Sequence, residues 1–128
     1  MFKTECHCGK VKLKSAEFPA DITRCNCSIC YRLGALWAYY PETEVKIEAA
    51  GGMLTVYAWG EEKMLFHRCT NCGCTNCGCT NCGCTTHYTS VEENGHKKIA
   101  INARMSDAEK IQHIQIRDFD GANSWKYF

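Results

Sequence analysis

Between Lys10 and Lys14 the chain reads Lys-Val-Lys-Leu-Lys, so that Val11 and Leu13 fall on one side of an extended segment and the lysines on the other. This is the period-two signature of a strand with one wet and one buried face. Segments rich in branched and aromatic residues recur at 36–40, 45–49, 53–59, 64–69, 98–102 and 113–117, and such residues suit a half-buried pleated surface. Gly51-Gly52, Gly60-Glu61 and Asn94-Gly95 punctuate several of these segments as turns. Helical periodicity is confined to a short piece after Ser28 and another from Ser106, with Asp107 and Glu109 near its start. The pattern predicts an all-β fold of folded antiparallel sheets.

The length of 128 residues suits one domain with a single modest core, spanning 1–128. The net charge is +1, and Lys and Arg are interspersed with Asp and Glu. No basic face therefore points to nucleic acid or to an acidic membrane, and the expected partner is a small molecule. The first residues carry charge at once and lack an apolar leader core, and no later stretch reaches the roughly 18 apolar residues of a membrane span. The expectation is a cytoplasmic protein, in which twelve cysteines serve metal binding rather than disulfides.

Three groups of cysteines carry the chemistry. Cys25-Asn26-Cys27-Ser28-Ile29-Cys30 brings three thiols within six residues, close enough to wrap one tetrahedral ion at Zn–S distances of about 2.3 Å. Three ligands leave the fourth position open, as in catalytic zinc sites; a fourth cysteine from elsewhere would close it into a structural one. Cys6-His7-Cys8-Gly9 and Cys69-Thr70-Asn71-Cys72-Gly73 read as two separated pairs forming a structural four-thiolate site. Such a site would tie the N-terminal strand to the middle of the chain.

The second pair has more than one register, because Thr-Asn-Cys-Gly-Cys is written three times, at 70–74, 75–79 and 80–84. Cys69 with Cys72, Cys74 with Cys77 and Cys79 with Cys82 share one spacing, which alone does not choose; a strand leading in favours Cys69 and Cys72, whereas a strand leading out at 85–89 favours Cys79 and Cys82. The thiols left over at this density offer soft ligands for additional zinc or copper, or form an oxidation-prone loop. His7, His67, His87, His96 and His113 lack metal-ligand spacing and read as surface or packing residues. Trp37, Tyr39, Tyr40, Trp59 and Trp125 read as core or cross-strand partners rather than as a pocket lining.

The order Cys6-His7-Cys8-Gly9, then Cys25 to Cys30 followed by Tyr31-Arg32-Leu33-Gly34, then Cys69 to Gly73, resembles the glutathione-dependent formaldehyde-activating enzyme family, whose domain is shared with centromere protein V. The likeness continues through Cys84-Thr85-Thr86-His87-Tyr88, Asn102-Ala103-Arg104 and the final Asp120-Gly121-Ala122-Asn123-Ser124-Trp125. The resemblance implies a β-tent stapled by two zinc ions. One is structural, on Cys6, Cys8, Cys69 and Cys72; the other is catalytic, on Cys25, Cys27 and Cys30.

The resemblance also implies carbon-sulfur lyase chemistry, the interconversion of formaldehyde plus glutathione with S-hydroxymethylglutathione, and so a thiol or its adduct as substrate. Three thiolates leave zinc with little Lewis acidity, which suits a soft sulfur ligand better than generation of hydroxide. The triplicated repeat departs from the family pattern, and no extra segment is devoted to a tripeptide. The rival expectation is a non-catalytic, zinc-stabilised protein-binding module; a third is metal storage by the repeat.

Overall fold

The computed structural model describes residues 1–49, 54–59, 64–69, 85–92 and 94–128, with the backbone alone at 55, 57, 59, 68 and 69. Val11 and Leu13 do lie on the buried side of a strand. β2 (Val11–Ser15) is central in a three-stranded antiparallel sheet, between β1 (Phe2–Glu5) and β5 (Val45–Ala49). Phe2, Val11 and Leu13 are almost fully buried, while Lys3, Lys10 and Lys12 face water. Lys14 reaches across to Glu48, its neighbour on β5, at 3.3 Å.

The larger sheet is built from β3 (Asp21–Cys25), β4 (Trp37–Pro41), β6 (Leu54–Trp59), β7 (Met64–Cys69), β8 (Thr85–Val91), β9 (Lys97–Asn102) and β10 (Gln115–Phe119), in the order β10-β3-β4-β9-β8-β7-β6. The all-β expectation holds. Its antiparallel character has one exception, since β10 runs parallel to β3. A parallel neighbour requires a crossover, supplied here by a 3-10 turn, Ala103–Met105, and the four-residue helix α2 (Ala108–Ile111). Asp118, opposite Arg24 in this pair, accepts from its guanidinium at 2.6 and 3.1 Å, which holds the register. The C-terminal strand thus starts two residues later than the 113–117 segment suggested.

Strands β4 and β9 occupy the middle of the large sheet and are buried on both faces, which divides the interior in two. Leu36, Ala38, Tyr40, Ile99 and Ile101 face the small sheet and pack with Phe2, Val11, Leu13 and Ile22. On the opposite face, Trp37, Phe66, Tyr88 and Ala100 pack beneath Cys30 and Ala35. The residues between β3 and β4 cover this second core: 26 and 27 as a loop, then the short helix α1 (Ser28–Leu33). That helix ends because Gly34 takes φ 64, a left-handed conformation that glycine adopts without strain, and donates to the carbonyls of Cys30 and Tyr31. No helix among the described residues is long and apolar enough to cross a membrane.

Candidate metal centre

Cys25 closes β3, Cys27 caps α1 in an extended conformation, and Cys30 sits inside the first turn of that helix. The reversal of direction between strand and helix folds the three side chains back on one another, and their sulfurs lie within 4.8 Å of each other. Trp37 on β4 donates its indole Nε1–H to Cys30 Sγ at 3.3 Å, and the amide of Cys27 donates to Cys25 Sγ at 3.5 Å. Among the described residues no fourth Cys, His, Asp or Glu joins the cluster.

The three thiols do not ionise together without a cation. Burial raises the Cys25 thiol above the ordinary range, and burial raises Cys30 still further despite the Trp37 N–H. Burial also acts against ionisation of Cys27, but the amide of Cys30, the thiols of Cys30 and Cys25 and the amide of Ile29 all point at its sulfur, and the net shift is downward. Left to themselves, the three cannot share a half-buried site as thiolates, because each new charge opposes the next. A divalent ion removes that opposition and favours thiolate at all three. The donor set therefore fits a thiophilic metal ion such as zinc.

A glycine completes the enclosure. A Cβ at Gly121 would lie 2.5 Å from Cys25 Sγ and 3.3 Å from Cys27 Cβ. Its backbone is not left-handed, so the requirement is for space alone. Gly121 belongs to a C-terminal turn fixed to the cysteine loop through Asn26, which donates to Asp120 Oδ1 at 3.0 Å and accepts from the amide of Ala122 at 2.9 Å. Asp120 Oδ2 also accepts from the amide and hydroxyl of Ser124, and these donors hold its carboxyl below the usual range, with Asn26 foremost.

The three cysteines line a cleft of about 1040 Å³ whose other described walls include Tyr39, Tyr88, Phe119, Trp125 and Tyr127. Here the sequence-based expectation for the aromatic residues needs correction. Trp37 and Tyr40 are core residues as expected, but Tyr39 lines the cleft, and Trp125 stands on its rim, 70% exposed. Strand propensity does not distinguish a ring facing a core from one facing a cavity. The side chain of Trp59 lies outside the described residues.

Tyr88 packs edge-on against Trp37, with ring centres 4.7 Å apart, and donates its hydroxyl to Tyr39 Oη at 3.2 Å. Burial raises both phenols well above the ordinary range, so both are neutral donors.

Away from the cleft, Cys6 and Cys8 flank the β1–β2 turn with their sulfurs 3.5 Å apart; Cys6 is buried and Cys8 exposed. Gly9 makes that turn at φ 77, and the amide of Val11 donates to Cys6 Sγ at 3.4 Å. Cys6, Cys8, Cys25, Cys27 and Cys30 form no disulfide among the described residues. The backbone of Cys69 stands opposite Leu54, which packs against the core cluster that includes Cys6. The side chain of Cys69 lies outside the described residues, as do Cys72, Cys79 and Cys82 altogether. His67 and His87 bear out the packing reading: they stack face to face across β7 and β8, ring centres 4.3 Å apart.

No protein-family model matches the chain, and no curated protein matches it. Among solved structures, the crystal structure of a Rhodobacter sphaeroides protein is similar over 90% of this chain and 99% of its own, with 22% sequence identity and a TM-score of 0.65. That likeness is one of fold.

Proposed function

We propose that the chain is a zinc-dependent carbon-sulfur lyase acting on a thiol adduct, of the kind that interconverts S-hydroxymethylglutathione with formaldehyde and glutathione. The observation that carries this reading is a three-sulfur cluster, without a fourth described ligand, opening onto a cleft large enough for a small substrate. Cys25, Cys27 and Cys30 would hold a zinc ion, which would supply an open position able to favour a substrate sulfur as thiolate.

The rest of the chemistry belongs to the protein's own groups. In the direction of addition, the sulfur electron pair forms a bond to the carbonyl carbon and negative charge develops on the carbonyl oxygen. In this reading Tyr39, which lines the same cleft, protonates that oxygen: its own O–H is left to donate because its oxygen already accepts from the Tyr88 hydroxyl. In addition Tyr39 regains a proton from water, matching the one the substrate thiol releases on ionising; in cleavage the carbon-sulfur bond breaks, sulfur keeps the pair, and the hydroxyl proton passes to Tyr39 Oη as Tyr39 releases its own to water. The aromatic walls displace water from the reacting oxygen and so strengthen these hydrogen bonds. In the same reading a second, structural ion would be held by Cys6 and Cys8 with Cys69 and Cys72, or with the alternative pair Cys79 and Cys82.

The test is turnover of S-hydroxymethylglutathione by the zinc-loaded chain and by Cys27→Ser. Activity in the first and its loss in the second supports the lyase. Absence of activity in both refutes it and assigns the triplet a structural role.

A further inference from the structure

We infer that Lys98 is the carboxylate anchor of this cleft, selecting thiols that carry a negative charge at a distance from the sulfur; the inference rests on the reading of the cleft as a thiol site. Among the described residues that line the cleft, Lys98 is the only one with a charged side chain other than the thiols, and no described carboxylate lines it. It makes no ion pair with any described residue. Its ammonium is instead positioned 4.4 Å over the ring of Tyr39, a cation–π contact that holds the charge without consuming its hydrogen-bond donors. Ser90 stands directly opposite Lys98 in the β8–β9 pair and lines the same cleft, adding a hydroxyl donor beside the ammonium.

The register sets the spacing. Asn102 pairs with Trp37, the indole that touches Cys30, and Lys98 lies four residues further along β9, an offset of about 13 Å at ~3.3 Å per residue. Because the lysine leans back over Tyr39, which pairs with Ala100, its ammonium stands on the order of 10 Å from the sulfurs. In a tripeptide whose thiol is on the central residue, a terminal carboxylate lies about two residue lengths, roughly 7 Å, from the sulfur, and its hydrogen bond to the ammonium adds about 3 Å, so a thiol at the cysteine cluster and a carboxylate at Lys98 are compatible in one molecule of that size. Between the two ends the described walls are chiefly aromatic, leaving Lys98 and Ser90 as the polar pair at the far end.

The experiment uses the full chain loaded with cobalt(II), whose visible absorption reports a sulfur joining the metal independently of turnover. Glutathione and its neutral diethyl ester are titrated into the parent chain, Lys98→Gln and Lys98→Arg. The inference expects Lys98→Gln to weaken glutathione binding by roughly 10- to 100-fold, the range for a hydrogen bond to a charged group. It expects ester binding to be unchanged, and Lys98→Arg to restore most of the glutathione affinity. Equal glutathione affinity in the parent and Lys98→Gln, or an equal loss for the ester, overturns the anchor while leaving the thiol site standing. Absence of any spectral response to either thiol in the parent chain overturns the thiol reading itself.

Discussion

Replacing Gly121 by alanine adds one methyl group where the structure has no room for it. The new Cβ would sit 2.5 Å from Cys25 Sγ and 3.3 Å from Cys27 Cβ, whereas carbon contacts settle at about 3.5–4.0 Å. A gap of roughly 1 Å must therefore open. A metal site holds its ligand distances to within about 0.2 Å, so a displacement of that size at Cys25 is incompatible with unchanged coordination. Overpacking of this kind costs about 1–3 kcal/mol. If the turn is held in place by Asn26 and Asp120, the cost falls on the metal, and zinc affinity at the triplet drops by about 10- to 100-fold.

The assay is zinc competition against a chromophoric chelator, with metal-free thermal unfolding of both proteins as the control. A Gly121→Ala chain that binds zinc as tightly as the parent, within twofold, refutes the reasoning. So does an affinity loss matched by a collapse of the metal-free fold.

Further outcomes follow from the same geometry. Trp37→Phe keeps most of the buried ring but deletes the N–H donated to Cys30 Sγ; zinc affinity should fall by about tenfold, and chelator competition showing no change contradicts the role given to the indole. Tyr39→Phe should lower kcat for S-hydroxymethylglutathione by ~10²-fold or more while leaving KM within a few-fold, and an unchanged kcat removes Tyr39 from the reaction. Burial, with the nearby His67 adding to it, lowers the His87 pKa to about 3. A histidine depressed in the folded state contributes stability that is present above its unfolded value of about 6.5 and is lost as pH falls toward 3, with a slope of up to ~1.4 kcal/mol per pH unit. His87→Asn should therefore flatten the decline of stability between pH 6.5 and 4 in denaturant titrations; identical slopes refute that assignment.

Much of this protein was legible in its residues. Alternation around Val11 and Leu13 located a half-buried strand because one face of the small sheet meets water. The six-residue cysteine motif located the candidate metal centre because ligands so close in sequence need only one strand-to-helix reversal to meet. What escaped was assembled by distant pairing. Gly121 lies far along the chain from Cys25 and meets it only because β10 runs beside β3, a parallel pairing that no local pattern announces. Lys98 reads as one surface lysine among several until the β9 register places it in the cleft with Tyr39. Burial of β4 and β9 on both faces likewise hid which of their aromatic residues would face a cavity.

The central claim is that Cys25, Cys27 and Cys30 together hold a metal ion that the fold does not require. The main core between the sheets contains none of the three, and Cys27 is a half-buried residue at the margin of the second, so removing that ligand should cost the ion and not the architecture. The most direct measurement is metal content per chain by elemental analysis of the parent and Cys27→Ser, with circular dichroism on the same samples. One fewer ion per chain in the variant, with an unchanged β spectrum, is the predicted result; equal metal content in the two proteins contradicts the account.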